Sequence, residues 1–195
     1  MDEHAKLREV RVELGDAHTA GALFEPICDL FAEVFSQPPA NLGPEDFASQ
    51  RAYFSSMRER ETFGMAVGMA DGELIGFAYG YTLTPDARWW DGLLEPLPNE
   101  ITQEWQGRTF ALIDFAVKEG WRGKGLGRQL HDVLLGSRTE ERATVAAEPA
   151  AATDTQDIYA KWGWQKLGRL QGPSTDLLPF FDIYIRPLVS RVVSS

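Results

Sequence analysis

Residues 119–130, EGWRGKGLGRQL, carry glycine at every second position (Gly123, Gly125, Gly127) among three cations, Arg122, Lys124 and Arg128. The apolar run before them, RTFALIDFAV (108–117), predicts a mostly buried strand interrupted by one acid, Asp114. After them, Leu126, Leu130, Val133 and Leu134 recur at helical spacing. A glycine-rich turn from strand to helix suits phosphate. Glycine lets backbone N–H groups approach an anion without Cβ interference, and the helix start adds unpaired donors and the positive end of its dipole.

Two phosphate loops fail against this stretch. A GxxxxGK[ST] loop would need glycine where Lys118 stands and a hydroxyl where Gly125 stands. A GxGxxG dinucleotide turn would need a third glycine at Arg128 or Leu130. What remains is [Q/R]xxGx[G/A], present as Arg122-Gly123-Lys124-Gly125-Leu126-Gly127. Lys118, Arg122, Lys124 and Arg128 against Glu119 leave residues 118–128 at +3 in a chain of net charge −10, so the remainder stands near −13. A basic island in an acidic protein points to a specific anion site, while each cation taken alone also reads as a solvated surface residue.

The 195 residues, 44% of them hydrophobic, are enough for one sizeable core and one domain. The acidic balance argues against nucleic acid as a partner. It favours a cationic or amine-bearing one, although many proteins are simply acidic. The lone Cys28 sits in a helical apolar pattern and reads as a core residue. His4, His18 and His131 form no ligand pattern, and no metal is implied. The charged start MDEHAKLREV and the lack of any apolar run near 18 residues lead us to expect a cytoplasmic protein with no membrane partner.

Along the chain, residues 7–14 alternate like a half-buried strand, and residues 20–36 carry a helical stripe that Pro26 starts or kinks. A second helix is expected over 45–57, with Phe47, Tyr53, Phe54 and Met57 inward. TFGMAVGMA (62–70) and ELIGFAYGYTL (73–83) flank Asp71-Gly72, a strong hairpin signal. Residues 84–106, rich in Trp, Pro and acids, read either as an irregular loop plugging the core edge or as a wall of an acceptor pocket. A strand over 141–148 and a helix near 154–162, capped by Thr153 or Asp154 and closed by Gly163, come next. Two closing strands, WQKLGRL (164–170) and PFFDIYIRPL (179–188), complete the domain. We expect one domain over 1–187 and a flexible tail over 188–195.

Together, IDFAVKEGWRGKGLGRQLHDVLL and DIYAKWGWQKLGRL resemble motifs A and B of the GCN5-related N-acetyltransferase (GNAT) family. In the second, Tyr159, Lys161, Gly163 and Trp164 carry the likeness, and the order of elements agrees over roughly residues 6–187. The resemblance implies an α/β (α+β) fold with a mixed six- to seven-stranded sheet, splayed central parallel strands (108–117 and 142–148) and flanking helices. It also implies acetyl-CoA as cosubstrate. The backbone of Phe115, Ala116 and Val117 would pair with the pantetheine arm. The amides of Arg122, Gly123, Lys124, Gly125, Leu126 and Gly127 would hold the pyrophosphate, with charge added by Arg122, Lys124 and Arg128. Thr153 stands where many relatives place a cofactor-contacting Asn, and its hydroxyl would be the substitute.

Tyr159 matches the family position that donates a proton to the departing thiolate; its other reading is a core tyrosine with a satisfied hydroxyl. A general base is needed because an amine is mostly protonated at neutral pH. Asp114, a lone acid in a buried strand, is the first candidate, since burial raises a carboxyl pKa. It reads equally as a structural carboxylate. Glu148, at the end of the next strand, is second, and Glu100 and Glu104 in the 84–106 loop are third, as acceptor-binding acids. A water chain can serve instead. The expected function is acetyl transfer from acetyl-CoA to a primary amine by direct attack, in a monomer or homodimer. The acidic surface favours a small cationic amine. A non-catalytic acyl-CoA-binding module, another acyl group and a protein N-terminus are the alternatives.

Overall fold

A computed structural model describes residues 9–149, 152–172 and 179–188. Seven strands form one mixed sheet: β1 (Val10–Gly15), β2 (Gly64–Ala70), β3 (Glu73–Thr82), β4 (Thr109–Val117), β5 (Arg142–Ala147), β6 (Gln165–Gln171) and β7 (Phe180–Pro187). Their order is β1-β2-β3-β4-β5-β7-β6, antiparallel except for the β4–β5 pair. Six helices accompany it: α1 (Ala17–Ala22), α2 (Phe24–Phe35), α3 (Pro44–Met57), α4 (Asn99–Thr102), α5 (Leu126–Gly136) and α6 (Ala152–Lys161). The mixed seven-stranded sheet with flanking helices is the expected fold class.

The local expectations hold with three adjustments. Asp71 and Gly72 take φ of 50° and 81°, the left-handed pair that a tight hairpin between β2 and β3 requires. The helical stripe over 20–36 is two helices broken at Leu23, and Pro26 sits in the first turn of α2, where its missing N–H is no loss. The helix near 154–162 begins earlier, at Ala152, so Thr153 and Asp154 lie inside its first turn rather than before it. Of the inward positions named on α3, Phe54 and Met57 are buried, but Tyr53 is 46% exposed. The tail from residue 189 lies outside the described residues, while the Leu188 N–H donates to the Glu141 carbonyl (2.9 Å).

Two cores sandwich the sheet. On one face, α5 buries Leu126, Leu130 and Leu134 against Ala66, Ala78, Phe110 and Leu112. On the other, α2 and α3 bury Ile27, Phe31, Phe54 and Met57 against Met65, Phe77 and Tyr79. Strand β4 serves both faces, and a bulge changes which residue faces where. Tyr79 pairs with Asp114, but the next residue, Gly80, pairs with Leu112, so Ile113 is one extra residue in β4. Phe110, Leu112, Phe115 and Val117 pack under α5, whereas Ile113 and Ala116 pack under α2 and α3. Strict alternation would send Asp114 to the α5 face. The extra residue returns it to the α2–α3 face, where it meets Tyr79.

The backbones of β3 and β4 approach so closely at the bulge that a methyl on Gly80 would overlap the Ala111 carbonyl. We therefore expect Gly80→Ala to lower unfolding free energy by at least about 2 kcal/mol in urea titrations, the scale of forced overpacking. An unchanged midpoint would mean that the bulge tolerates a side chain.

Candidate active site

The turn after β4 is built to leave its amides free. A short 3-10 turn, Glu119–Trp121, ends in two bonds, Trp121 N–H to Lys118 O (2.8 Å) and Arg122 N–H to Glu119 O (3.1 Å). The next amide to find a backbone acceptor outside the helix ladder is Gln129, on Gly125 O (3.1 Å). From Gly123 to Arg128, no amide has a hydrogen-bond acceptor among the described residues. Gly123 and Gly125 take φ of +71° and +84°, a region that favours glycine, and a Cβ on either would meet nothing within 4 Å. A run of unpaired donors opening an eleven-residue helix onto open space fits a pyrophosphate.

The three cations of this segment brace it. Arg122 Nε donates to Val117 O (3.0 Å), Lys124 Nζ to Gly120 O (2.8 Å) and Arg128 Nε to Asp132 Oδ2 (2.6 Å). Lys124 also lies 5.3 Å from the Trp121 ring centroid and Arg128 5.7 Å from that of Trp162. Each keeps further N–H groups beyond these bonds.

Strands β4 and β5 are hydrogen-bonded neighbours only from Thr109↔Arg142 to Leu112↔Val145. Past that point β4 stays paired with β3 through Val117, while β5 stays paired with β7 through Ala147. The edges of Ile113–Val117 and Ala146–Ala147 that face each other thus have no strand partner among the described residues. This is the splayed parallel pair that the resemblance implied. It places Phe115, Ala116 and Val117 on an open edge beside the glycine turn.

A cleft of about 1100 Å³ runs through the gap. Its lining includes Leu112 and Val145 at the fork, and also Asp114, Phe115, Glu148 and Tyr159. All three residues considered for proton transfer therefore border one cavity. The structure also places Leu126 and Gly127 at the start of α5, with Leu126 buried in the core. Thr153 belongs to the α6 backbone, but its side chain lies outside the described residues.

Asp114 is enclosed where the bulge turns it. Its Oδ2 accepts the Tyr79 hydroxyl, whose oxygen in turn accepts Gln50 Nε2 (3.1 Å). Burial raises the Asp114 pKa above the usual carboxylate value, and the hydrogen bonds from Tyr79 and Gln50 moderate the rise. Burial likewise holds the Tyr79 hydroxyl protonated, far above an ordinary phenol, so it acts as a donor. Glu148 is also raised by burial, with no partner compensating.

Tyr159 on α6 is 8% exposed, its ring packed at a tilt against Trp164 and Tyr184. Its hydroxyl finds no protein partner among the described residues. Burial, then the nearby Tyr184, pushes its pKa up to about 12. Of the reading of Tyr159 as a core tyrosine with a satisfied hydroxyl, the ring is core, and the hydroxyl has no partner among the described residues.

Two features escaped the sequence. His131, which formed no pattern there, is fully buried beneath both motifs. Its Nδ1 meets Asp132 Oδ1 (2.8 Å), and its Nε2 accepts Trp164 Nε1 (3.0 Å) and Arg186 Nη1 (3.1 Å). Burial lowers its pKa to about 4, so the ring is neutral and ties α5 to the strands after α6. The other is Glu104, expected as an acceptor-binding acid. It is buried, and its Oε1 accepts Trp90 Nε1 (3.0 Å), Thr109 Oγ1 (3.0 Å) and Arg142 Nη2 (2.9 Å). It anchors the 84–106 segment to β4 and β5 and does not line the cleft. Glu100 is exposed, also away from the cleft, and lends its carbonyl to Arg108 Nη2 (2.6 Å).

The 84–106 segment both plugs the core edge and lines the cleft. Trp90 is core, packed with Leu170 and Ile183. Trp89, Arg88, Asp91 and Gly92 line the cleft. Gly92 and Leu94 bond to the backbone of β6, so the wall is fastened to the sheet edge.

Known structures share this architecture. The ribosomal-protein-S18-alanine N-acetyltransferase of Escherichia coli superposes with a TM-score of 0.61 at 14% identity, over 96% of this chain and 99% of that one. The PaiA N-acetyltransferase of Thermoplasma acidophilum, solved in complex with coenzyme A, gives 0.59 at 11% identity, over 92% and 99%. A histone acetyltransferase HPA2 and related acetyltransferase from Corynebacterium glutamicum gives 0.60 at 19% identity, over 94% and 99%. At these identities the likeness shows the fold alone. A search of curated proteins finds no match. The sequence model of the acetyltransferase (GNAT) family matches residues 24–164, from α2 through both motifs to Trp164. The chain belongs to the GNAT acetyltransferase family.

Proposed function

We propose that this protein transfers an acetyl group from acetyl-CoA to a primary amine by direct attack, with Asp114 as general base and Tyr159 as hydrogen-bond donor to the leaving sulfur. One observation carries the reading: the fork between β4 and β5, and Asp114, Glu148 and Tyr159, border the same cleft. The amides of Gly123–Arg128 would hold the pyrophosphate, with Arg122, Lys124 and Arg128 adding charge. The open edge at Phe115–Val117 would take the pantetheine arm. Thr153 is proposed as a further cofactor contact. The one cysteine, Cys28, is buried and is not among the described residues that line the cleft, which favours one-step transfer over a cysteine acyl-enzyme.

The division of proton work follows from the environments. The bulge aims Asp114 into the cleft, and its raised pKa makes it a stronger base than an exposed aspartate. Tyr159, at about 12, stays protonated throughout the working range. A thiol has a pKa of about 8.5, so complete transfer from Tyr159 to the thiolate is uphill. Its contribution is then a hydrogen bond to developing charge. Glu148 is the alternative base on the β5 side of the fork.

Four outcomes follow. Gly125→Val places a β-branched residue at φ +84° and should abolish acetyl-CoA binding in calorimetry while circular dichroism stays native. Retained affinity would remove the glycine turn from the site. Asp114→Asn should slow turnover more at neutral pH than at high pH, where the amine is already deprotonated. Tyr79→Phe removes a donor that lowers the Asp114 pKa, so that pKa rises and the acid limb of the rate profile moves to higher pH. Profiles unmoved by both changes would transfer the role to Glu148 or to water. Tyr159→Phe should cost roughly tenfold in kcat, below the 10²–10⁴-fold of full general acid–base catalysis.

A further inference from the structure

Several polar side chains along the described cleft lining are already engaged. Ser49 Oγ donates to Glu45 O (3.0 Å), Gln50 Nε2 to Tyr79 (3.1 Å) and Trp89 Nε1 to Thr144 Oγ1 (3.1 Å). Arg88 and Asp91 pair with each other at 2.6 Å. Rings, by contrast, are abundant. α2 contributes Phe31 and Phe35, whose centroids lie 4.4 Å apart, and α3 contributes Tyr53, 46% exposed. The 84–106 segment contributes Trp89 and β7 contributes Phe181. The indole hydrogen bond to Thr144 on β5 fixes Trp89 as a rigid surface.

Charge narrows the choice further. Among the described residues the cleft lining holds three carboxylates, Asp91, Asp114 and Glu148, against one guanidinium, Arg88, which pairs with Asp91. Such a cavity repels a free carboxylate on the acceptor. Among the described residues it offers few groups to the hydroxyls of an aminosugar, and its rings leave the ammonium groups of a polyamine without acceptors beyond those carboxylates. Desolvating those groups without new partners disfavours them.

We infer that the acceptor is a primary alkyl monoamine that carries an aromatic ring and lacks a carboxylate, its ring held among Phe35, Tyr53, Trp89 and Phe181 and its nitrogen directed to Asp114. This rests on the acetyl-transfer reading above and adds the substrate class to it. The acidic surface suggested a small cationic amine; the cleft adds an apolar body to that charge.

The test is thiol release from acetyl-CoA with six acceptors: 2-phenylethylamine, n-propylamine, L-phenylalanine, spermidine, kanamycin and a peptide with N-terminal alanine. Acetyl-CoA binding is measured in parallel by calorimetry. The expected result is a kcat/KM for 2-phenylethylamine at least about a hundredfold above that for L-phenylalanine, spermidine, kanamycin and the peptide. Trp89→Ala and Phe35→Ala should each raise KM for 2-phenylethylamine by about tenfold, leaving n-propylamine and acetyl-CoA nearly unchanged. Highest turnover with any of the four disfavoured acceptors would overturn the ring assignment and leave acetyl transfer standing. Equal loss for 2-phenylethylamine and n-propylamine in both variants would also overturn it. Binding of acetyl-CoA with no thiol release for any amine would overturn both the assignment and the enzyme reading.

Discussion

Strands β4 and β5 cannot stay paired, and most of the site follows from that. Each is held on its far side, β4 by β3 through Val117 and β5 by β7 through Ala147, and their shared ladder stops at Leu112 and Val145. An open strand edge inside a sheet carries backbone groups that need partners, an unfavourable state unless a ligand or water supplies them. The bulge at Ile113 lies one residue beyond the last paired position, where β-bulges commonly end pairing and re-aim a side chain. One extra residue thus marks the fork and delivers Asp114 to the cleft. Gly80 makes the bulge possible, because no side chain fits between its Cα and the Ala111 carbonyl.

A sheet divided at its centre has to be held together elsewhere, and two buried polar clusters do this on either side of the split. At the closed end of the fork, Glu104 joins Trp90, Thr109 of β4 and Arg142 of β5. Arg142 Nε also donates to Thr109 Oγ1 (2.8 Å). Removing one partner of a buried ion pair of this kind costs about 3–5 kcal/mol, because the remaining charge is stranded. Beneath the open end, neutral His131 links α5 to Trp164 and to Arg186 of β7. The glycine turn and the residues after α6 are therefore positioned relative to each other through one imidazole.

The glycine turn before α5 was legible in the sequence because its requirement is local. Gly123, Gly125 and Gly127 are spaced by backbone geometry that a short window contains, and the Asp71-Gly72 hairpin is legible for the same reason. The splayed strands came only through family resemblance, since nothing in 108–117 or 142–148 says that pairing stops half-way. The bulge was hidden: period-2 alternation in FALIDFAV assigns Asp114 to the α5 face, and only the register against Tyr79 and Gly80 reverses it. Glu104 looked like an acceptor acid because an acid in a loop is ordinarily solvated; its burial depends on Arg142, 38 residues away. Tyr53 looked inward by helical spacing, yet it borders the cleft, because the helix face toward an open cavity carries the same apolar pattern as one toward a core. His131 gave no signal, since its partners Trp164 and Arg186 are 33 and 55 residues distant.

The central claim is that the fork and the glycine turn form one continuous seat for coenzyme A. The most direct measurement is a crystal structure of the full chain with coenzyme A bound. The account predicts pyrophosphate oxygens within hydrogen-bonding distance of the amides from Gly123 to Gly127, the pantetheine arm along Phe115–Val117, and the sulfur between the β4 and β5 edges beyond Leu112 and Val145. Coenzyme A bound elsewhere, or a β4–β5 ladder closed past Leu112 with the arm outside it, would contradict the account.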